Sequence, residues 1–340
     1  DLRMSRGLGD VYKRQIQSGM QWLGVPEFAS VVCNAGGMGT INTSCWDTPE
    51  ELREALEHMN TLTSKPYIVN ISITPGLAPD LELIRKYISA CKDNHVACIE
   101  TAAGDPREFM GDIHAAGIRH LHKCPNMHVS RSMEKKGVDL VTIAGYEVAG
   151  HPSADGVGTF VIARRVASQL KIPVIAAGGI ADGHGLAAAL SLGASAVAMG
   201  TRFVATEECP LSDNHKQWIL DHTEKNTVLA QRKIGSMMRV SDNNAARLAN
   251  AMEENGATIK ELFPIISGKL TKQAFKNGNV DSAIFCAGQA MGLIDDIVPV
   301  KTLIDRMVKE AEETLDSVRS CFVEDLSLIH ISEPTRHAQI

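Results

Sequence analysis

The sequence predicts an α/β fold, a (β/α)8 TIM barrel with an appended C-terminal helical region, and three observations carry that prediction. Short β-rich runs bounded by Gly, Pro or Asn recur eight times in the first two-thirds of the 340 residues. Most are separated by stretches with helical spacing, and strand–helix–strand units force parallel pairing because the crossover carries the chain back to the same end of the sheet. The composition, with 28 Gly and only 4% aromatic residues in a chain that is 44% hydrophobic, suits parallel strands of Val, Ile, Leu and Ala with Gly at the turns. Eight units favour closure over an open sheet.

In chain order the runs are Ile16 to Ser18, Gly39 to Ile41, Tyr67 to Ser72, Val96 to Glu100, Arg119 to Lys123, Leu140 to Ile143, Val174 to Ala177 and Ala196 to Met199. Between them, Pro49 to Asn60 places Leu52, Leu56 and Met59 on one helical face, and Leu81 to Lys92 does the same with Leu83, Ile84, Tyr87 and Ile88. The expected barrel covers residues 16–209. From about Pro210 the strand signals stop and helical text follows: Asp213 to Asn226, Asn243 to Asn255, Thr258 to Phe263, Lys269 to Lys276 and Val300 to Leu315. This region, 210–322, shows no complete core pattern of its own, so it is expected to fold over the catalytic face or to pair subunits, with a homodimer left open. Residues 1–15 and about 326–340 lack periodicity and resemble translated adapter read-through. They are expected to be non-native, which would leave a native segment missing ahead of Met20.

Thirty-four Lys and Arg against 40 Asp and Glu give a net charge of −6, so nucleic acid is not an expected partner. No apolar run approaches the roughly 20 residues that span a bilayer, and no charged-then-apolar leader opens the chain. No membrane partner and a cytoplasmic location are therefore expected. Eight cysteines are dispersed without a CxxC pair, which argues against a zinc ribbon and a disulfide framework and favours reduced, mostly buried thiols.

In such a barrel the site lies at the C-terminal ends of the strands, and the loops after the seventh and eighth often bind phosphate. The seventh run leads into Ala177-Gly178-Gly179-Ile180 and the eighth ends in Met199-Gly200-Thr201. Glycines let backbone N–H groups approach an anion, and Thr201 adds a hydroxyl. Gly-rich βα turns are common, so either loop alone is a weak signal; their pairing at both expected positions is stronger. The loop after the sixth run carries Gly150-His151-Pro152, and a histidine at the barrel mouth suits proton transfer near neutral pH, although a surface histidine fits equally well. Arg119-His120-Leu121-His122-Lys123-Cys124 is polar for a barrel strand. Two alternate histidines without a third ligand point to no metal site, whereas Lys123 at the strand end offers a charge for an anionic ligand or an electron-rich ring. Asn70 closes the third run with a donor and an acceptor, or serves as a turn cap.

Together these motifs resemble the nitronate monooxygenase family, also called 2-nitropropane dioxygenase-like, an FMN-dependent barrel family that includes the flavin-dependent enoyl-acyl-carrier-protein reductases. The resemblance rests on Ser18-Gly19-Met20-Gln21-Trp22, Cys33-Asn34-Ala35-Gly36-Gly37-Met38-Gly39, Val69-Asn70, His122-Lys123-Cys124, Gly150-His151-Pro152, Ala177 to Gly183, Met199 to Phe203 and Ala287-Gly288-Gln289. It covers roughly residues 16–318. It implies that Met20, Gln21 and Asn70 meet the FMN, that Lys123 and Gly150 lie beside its ring, and that Gly178, Gly179, Met199, Gly200 and Thr201 surround its phosphate. His151 matches the family's catalytic histidine. The implied reaction oxidises a nitronate, such as propionate 3-nitronate, or a nitroalkane with oxygen to a carbonyl product and nitrite. Ala149 and Ser153 stand where many members have Gly, and Ala144 where some have Gln.

The nearest alternative is an NAD(P)H-dependent reductase of enoyl thioesters or quinones on the same barrel. A second is a flavin-free barrel for a phosphorylated metabolite, which leaves Met20, Asn70 and Lys123 unexplained. A nucleophilic Cys33 or Cys124 lacks an evident base.

Overall fold

The computed structural model describes residues 13–73 and 80–322. Eight parallel strands, β1 (Gln15–Gln17), β2 (Thr40–Asn42), β3 (Ile68–Ile73), β4 (Cys98–Ala103), β5 (Arg119–Cys124), β6 (Leu140–Ala144), β7 (Val174–Ala177) and β8 (Ala196–Met199), pair in the order β1-β8-β7-β6-β5-β4-β3-β2. The seam between β1 and β2 is joined by a parallel bridge from Ile16 to Met38, with Gln17 N–H donating to Met38 O and Met38 N–H to Gln15 O, both at 2.9 Å. The expected (β/α)8 TIM barrel is the observed fold.

Alternation along each strand separates two environments. Ile16, Ile68, Cys98, Leu121, Leu140 and Ile175 fill the barrel interior, while Val69, Ile99, Val141, Val174 and Val197 face the helices outside. β4 starts two residues later than the sequence suggests, because Val96 N–H is spent on Cys91 O in the turn that leaves the helix Leu81–Asp93. At the N-terminal end the barrel reaches into the segment set apart as foreign. Gln15 is a buried residue of β1, Arg14 Nη1 donates to Ser195 O at 3.0 Å, and Lys13 bonds Ala35 O and Asp305. The remainder of both expected non-native ends, 1–12 and 326–340, lies outside the described residues.

The appended region contains the helices Asp213–Leu220, Asn244–Glu254, Ile259–Ile266, Gly268–Asn277 and Val300–Ser320. It is not wholly helical: β9 (Thr227–Ala230) and β10 (Met238–Ser241) form an antiparallel hairpin, where no strand was expected. Each strand is only four residues long, too short for alternation to register as a pattern. Tertiary anchors supply what local sequence lacks. Ala230 and Val240 pack with Ala245, Ala246 and Ile284, and the buried Glu253 carboxylate accepts the N–H groups of Arg232, Lys233 and Ile234 in the connecting loop at 3.2, 2.6 and 3.2 Å. The hairpin meets the loop after β6 through an antiparallel bridge between Gly150 and Arg239. Among the described residues no helix is long and apolar enough to cross a membrane.

Candidate active site

Strand register places a polar line along the inner rim. Asn42 pairs with Asn70 between β2 and β3, and Asn70 with Glu100 between β3 and β4. Asn70 Nδ2 donates to Glu100 Oε2 at 2.6 Å, while Asn70 Oδ1 accepts from Asn42 Nδ2 and Ser72 Oγ, each at 3.2 Å. Lys123 Nζ stands 3.8 Å from Glu100 Oε1. Both Asn70 and Glu100 are buried, and a Cβ added to Gly19 would fall 2.6 Å from Asn70 Cγ, so only glycine lets the loop after β1 come this close. The beside-the-ring charge expected of Lys123 is thus shared with a carboxylate that sequence reasoning passed over. Glu100 ended the fourth β-rich run, the same signal that drew notice to Asn70.

At the ends of β7 and β8, Gly178 and Gly179 have φ of +108° and +70°, a region L side chains enter only at a cost. Among the described residues, no acceptor faces the N–H groups of Gly178, Gly179 or Gly200. Met20 lies beside Gly200, its sulfur 3.8 Å from where a Gly200 Cβ would stand. The Met199 side chain points away into the core under the outer helices, leaving its backbone at the rim, where its carbonyl accepts from Ser18 N–H at 2.9 Å. Thr201 Oγ1 accepts from Gly288 N–H at 3.0 Å, so its hydroxyl ties the 287–289 motif to β8 and keeps one proton to donate. Gln21 is exposed and faces the start of the helix Gly268–Asn277, with Nε2 3.1 Å from a Cβ built on Gly268.

Gly150, with φ of +74°, exchanges backbone hydrogen bonds with Arg239: Gly150 N–H to Arg239 O at 3.0 Å and Arg239 N–H to Gly150 O at 2.6 Å. The exposed His151 ring places Nδ1 2.9 Å from Met237 O. Both partners come from the hairpin region.

These features satisfy a phosphate-bearing aromatic cofactor. Three N–H donors without a partner among the described residues stand at the two strand ends where such barrels hold phosphate. Within the barrel the buried Thr142 hydroxyl, opposite Lys123 in the β5–β6 register, has no hydrogen-bond partner among the described residues. A model of the nitronate monooxygenase family matches residues 8–310. The chain belongs to the nitronate monooxygenase family. Members of this family are flavin-dependent oxidoreductases, and this chain is an enzyme of that class. A nitronate monooxygenase of Paraburkholderia phytofirmans is 29% identical over 89% of this chain and 93% of its own length. An octahydro-indene-carboxyl-CoA dehydrogenase of Rhodococcus jostii is 30% identical over 89% of this chain and 94% of its own. The solved structure of FabK from Thermotoga maritima is similar with a TM-score of 0.86 and 34% identity, covering 94% of this chain and 98% of that one.

Within this nitronate monooxygenase family chain, the His122-Lys123-Cys124 motif divides by strand parity. Lys123 faces inward; His120 and His122 face the helices, where both bond Thr101 Oγ1, at 2.8 and 2.7 Å. Burial pushes His120 down to about 3 and His122 down to about 4, so both are neutral near pH 7 and neither reaches the barrel mouth. Cys33 and Cys124 are buried, and desolvation pushes each thiol up to about 12, which leaves almost no thiolate for nucleophilic chemistry.

Proposed function

We propose that this enzyme oxidises alkyl nitronates, such as propionate 3-nitronate, and the parent nitroalkanes with FMN and oxygen, releasing a carbonyl product and nitrite, and that His151 is its base. The observation that carries the reading is the 2.9 Å contact between His151 Nδ1 and Met237 O. A carbonyl only accepts, so Nδ1 carries the proton and the neutral ring presents Nε2 as a free lone pair. Nε2 takes the α-proton of a nitroalkane. The resulting imidazolium then donates Nε2–H to the nitronate, holding the anion in place.

The N–H groups of Gly178, Gly179 and Gly200 bind the FMN phosphate, with the Thr201 hydroxyl as a further donor. Lys123, paired with Glu100, and Asn70, with one amide hydrogen still uncommitted, present their donors to the ring, beside Met20, Gln21 and Gly150. FMN, when bound, supplies the electron transfer and oxygen chemistry that side chains lack.

A second reading, NAD(P)H-dependent reduction of an enoyl thioester or quinone, draws support from the Rhodococcus relative named as a CoA thioester dehydrogenase and from the 34% identity to FabK. One experiment separates them. The FMN-reconstituted protein is followed anaerobically by flavin absorbance after addition of propionate 3-nitronate, NADH or NADPH. Flavin reduction by nitronate alone supports the first reading. Bleaching by a nicotinamide nucleotide without response to nitronate replaces it with the second, and failure to take up FMN overturns both.

A further inference from the structure

We propose that Arg239 is the positioning residue of this site, a residue of the appended hairpin whose side chain fastens one end of the segment 146–150 and whose backbone fastens the other, and that it thereby holds His151 in its Nδ1–H form against Met237 O. The inference rests on the reading of His151 as the base. At one end of the segment Arg239 exchanges two backbone hydrogen bonds with Gly150. At the other its Nε and Nη2 both donate to Tyr146 O, at 3.3 and 3.1 Å, and the guanidinium carbon lies 4.9 Å from the Tyr146 ring centroid. Nη1 reaches across the hairpin to Thr227 Oγ1 at 3.0 Å. Two residues earlier, Met237 supplies the carbonyl that meets His151. One residue therefore connects the hairpin, the loop after β6 and the acceptor that selects the histidine tautomer.

Chemistry favours this over a packing role. Arg239 is 4% exposed, and among the described residues no carboxylate forms an ion pair with it. Burying a cation without a contacting carboxylate is costly, and an apolar side chain would fill the same space more cheaply. What an apolar chain, or lysine, does not supply is a planar fork with donors aimed at two acceptors at once. Gly150 contributes no packing hold, since a Cβ placed there would meet nothing within 4 Å. Among the hydrogen bonds that hold the segment, the Arg239 side chain makes those to Tyr146 O and its backbone makes the pair with Gly150.

The test compares the full-length, FMN-reconstituted wild type with Arg239→Lys and with Thr227→Val, which keeps the arginine and removes only the acceptor of Nη1. Steady-state turnover is measured with a neutral nitroalkane and with its preformed nitronate, because only the first needs the base. For R239K we expect kcat on the nitroalkane to fall about 30- to 100-fold, less than the full loss of general-base catalysis because the base is misoriented and not removed. On the nitronate we expect a fall of no more than about threefold, because no proton abstraction is required there. T227V should move both in the same direction by a smaller factor. A second readout needs no turnover: 15N NMR of histidine-labelled protein, with the His151 signal identified by its loss in His151→Ala. The wild-type ring should show a protonated Nδ1 and a bare Nε2, and R239K should show tautomer averaging. A wild-type tautomer signature in R239K, or equal loss on both substrates, overturns the assignment. If the wild type turns over neither nitro compound, the proposed function fails on its own, and the NMR comparison still decides the role of Arg239.

Discussion

Asn70 and Glu100 meet side chain to side chain across adjacent strands, with Nδ2 donating to Oε2 at 2.6 Å. This short, buried, charge-assisted bond fixes the amide so that its oxygen faces Asn42 and Ser72 and sets a carboxylate beside Lys123. The inner rim is therefore a nearly charge-balanced pair rather than a lone cation. Glu100→Gln removes one negative charge at nearly constant shape, and an uncompensated Lys123 would favour the reduced, anionic flavin. The midpoint potential of bound FMN should rise by an amount on the order of tens of millivolts, as expected for one partly screened charge. Spectroelectrochemical titration checks it; a potential that falls or stays put would show that Lys123 does not act on the ring.

His151→Ala should leave FMN affinity unchanged, because the ring's one protein bond goes to Met237 O. Loss of a general base should cost about 10²- to 10⁴-fold in turnover of a neutral nitroalkane and much less with the nitronate. Stopped-flow reduction of the flavin with each substrate measures the two losses, and equal losses would remove the base role.

The glycines at the end of β7 give a binding prediction. Gly179 sits at φ +70°, where an L side chain costs about 1–2 kcal/mol, and a Cβ there has ordinary clearance of 3.7 Å from Glu147. Gly179→Val should thus fold while turning its N–H away from the anion, raising the dissociation constant for FMN in a fluorescence titration. Unaltered affinity would remove this turn from the phosphate site.

Acid should destabilise the barrel through His120 and His122. Burial lowers both, to about 3 and about 4, so in the folded protein they stay neutral where the unfolded chain, near 6.5, already binds protons. Stability is then complete above pH 6.5 and declines as pH falls toward 4, because protons favour the unfolded state. Asp139, held below the usual carboxylate range despite its burial by the His120 N–H and Arg119, adds to the loss only at lower pH. Thermal melts between pH 7 and 4.5 should show a falling Tm, with a shallower slope in His122→Gln. A wild-type slope in that variant would place the acid sensitivity elsewhere.

Much of this molecule was legible residue by residue. All eight barrel strands begin and end within three residues of the runs read from the sequence, because a buried parallel strand is a local apolar segment ended by Gly, Pro or Asn, and the βα connection forces its partners. The glycines that close β7 and β8 were readable for the same reason, since each turn, left-handed at Gly178 and Gly179, is contained in a few consecutive residues. Asn70 and Lys123 were visible as polar residues near the C-terminal ends of barrel strands, and Glu100, of the same kind, was passed over.

The remainder was settled in three dimensions. The hairpin formed by β9 and β10 has too little local pattern to announce itself and exists because Glu253, Ile284 and the loop after β6 hold it. Strand parity, and not composition, turns Lys123 inward while sending His120 and His122 to Thr101. Most consequentially, His151 and the carbonyl that selects its tautomer are 86 residues apart. By itself the sequence determined the barrel, the glycine turns that end β7 and β8 and the presence of a histidine in the loop after β6, because those follow from short-range preferences of the backbone. The protonation geometry of that histidine and the partners of each rim side chain were decided only when distant elements packed, since hydrogen-bond direction depends on where the partner comes to rest.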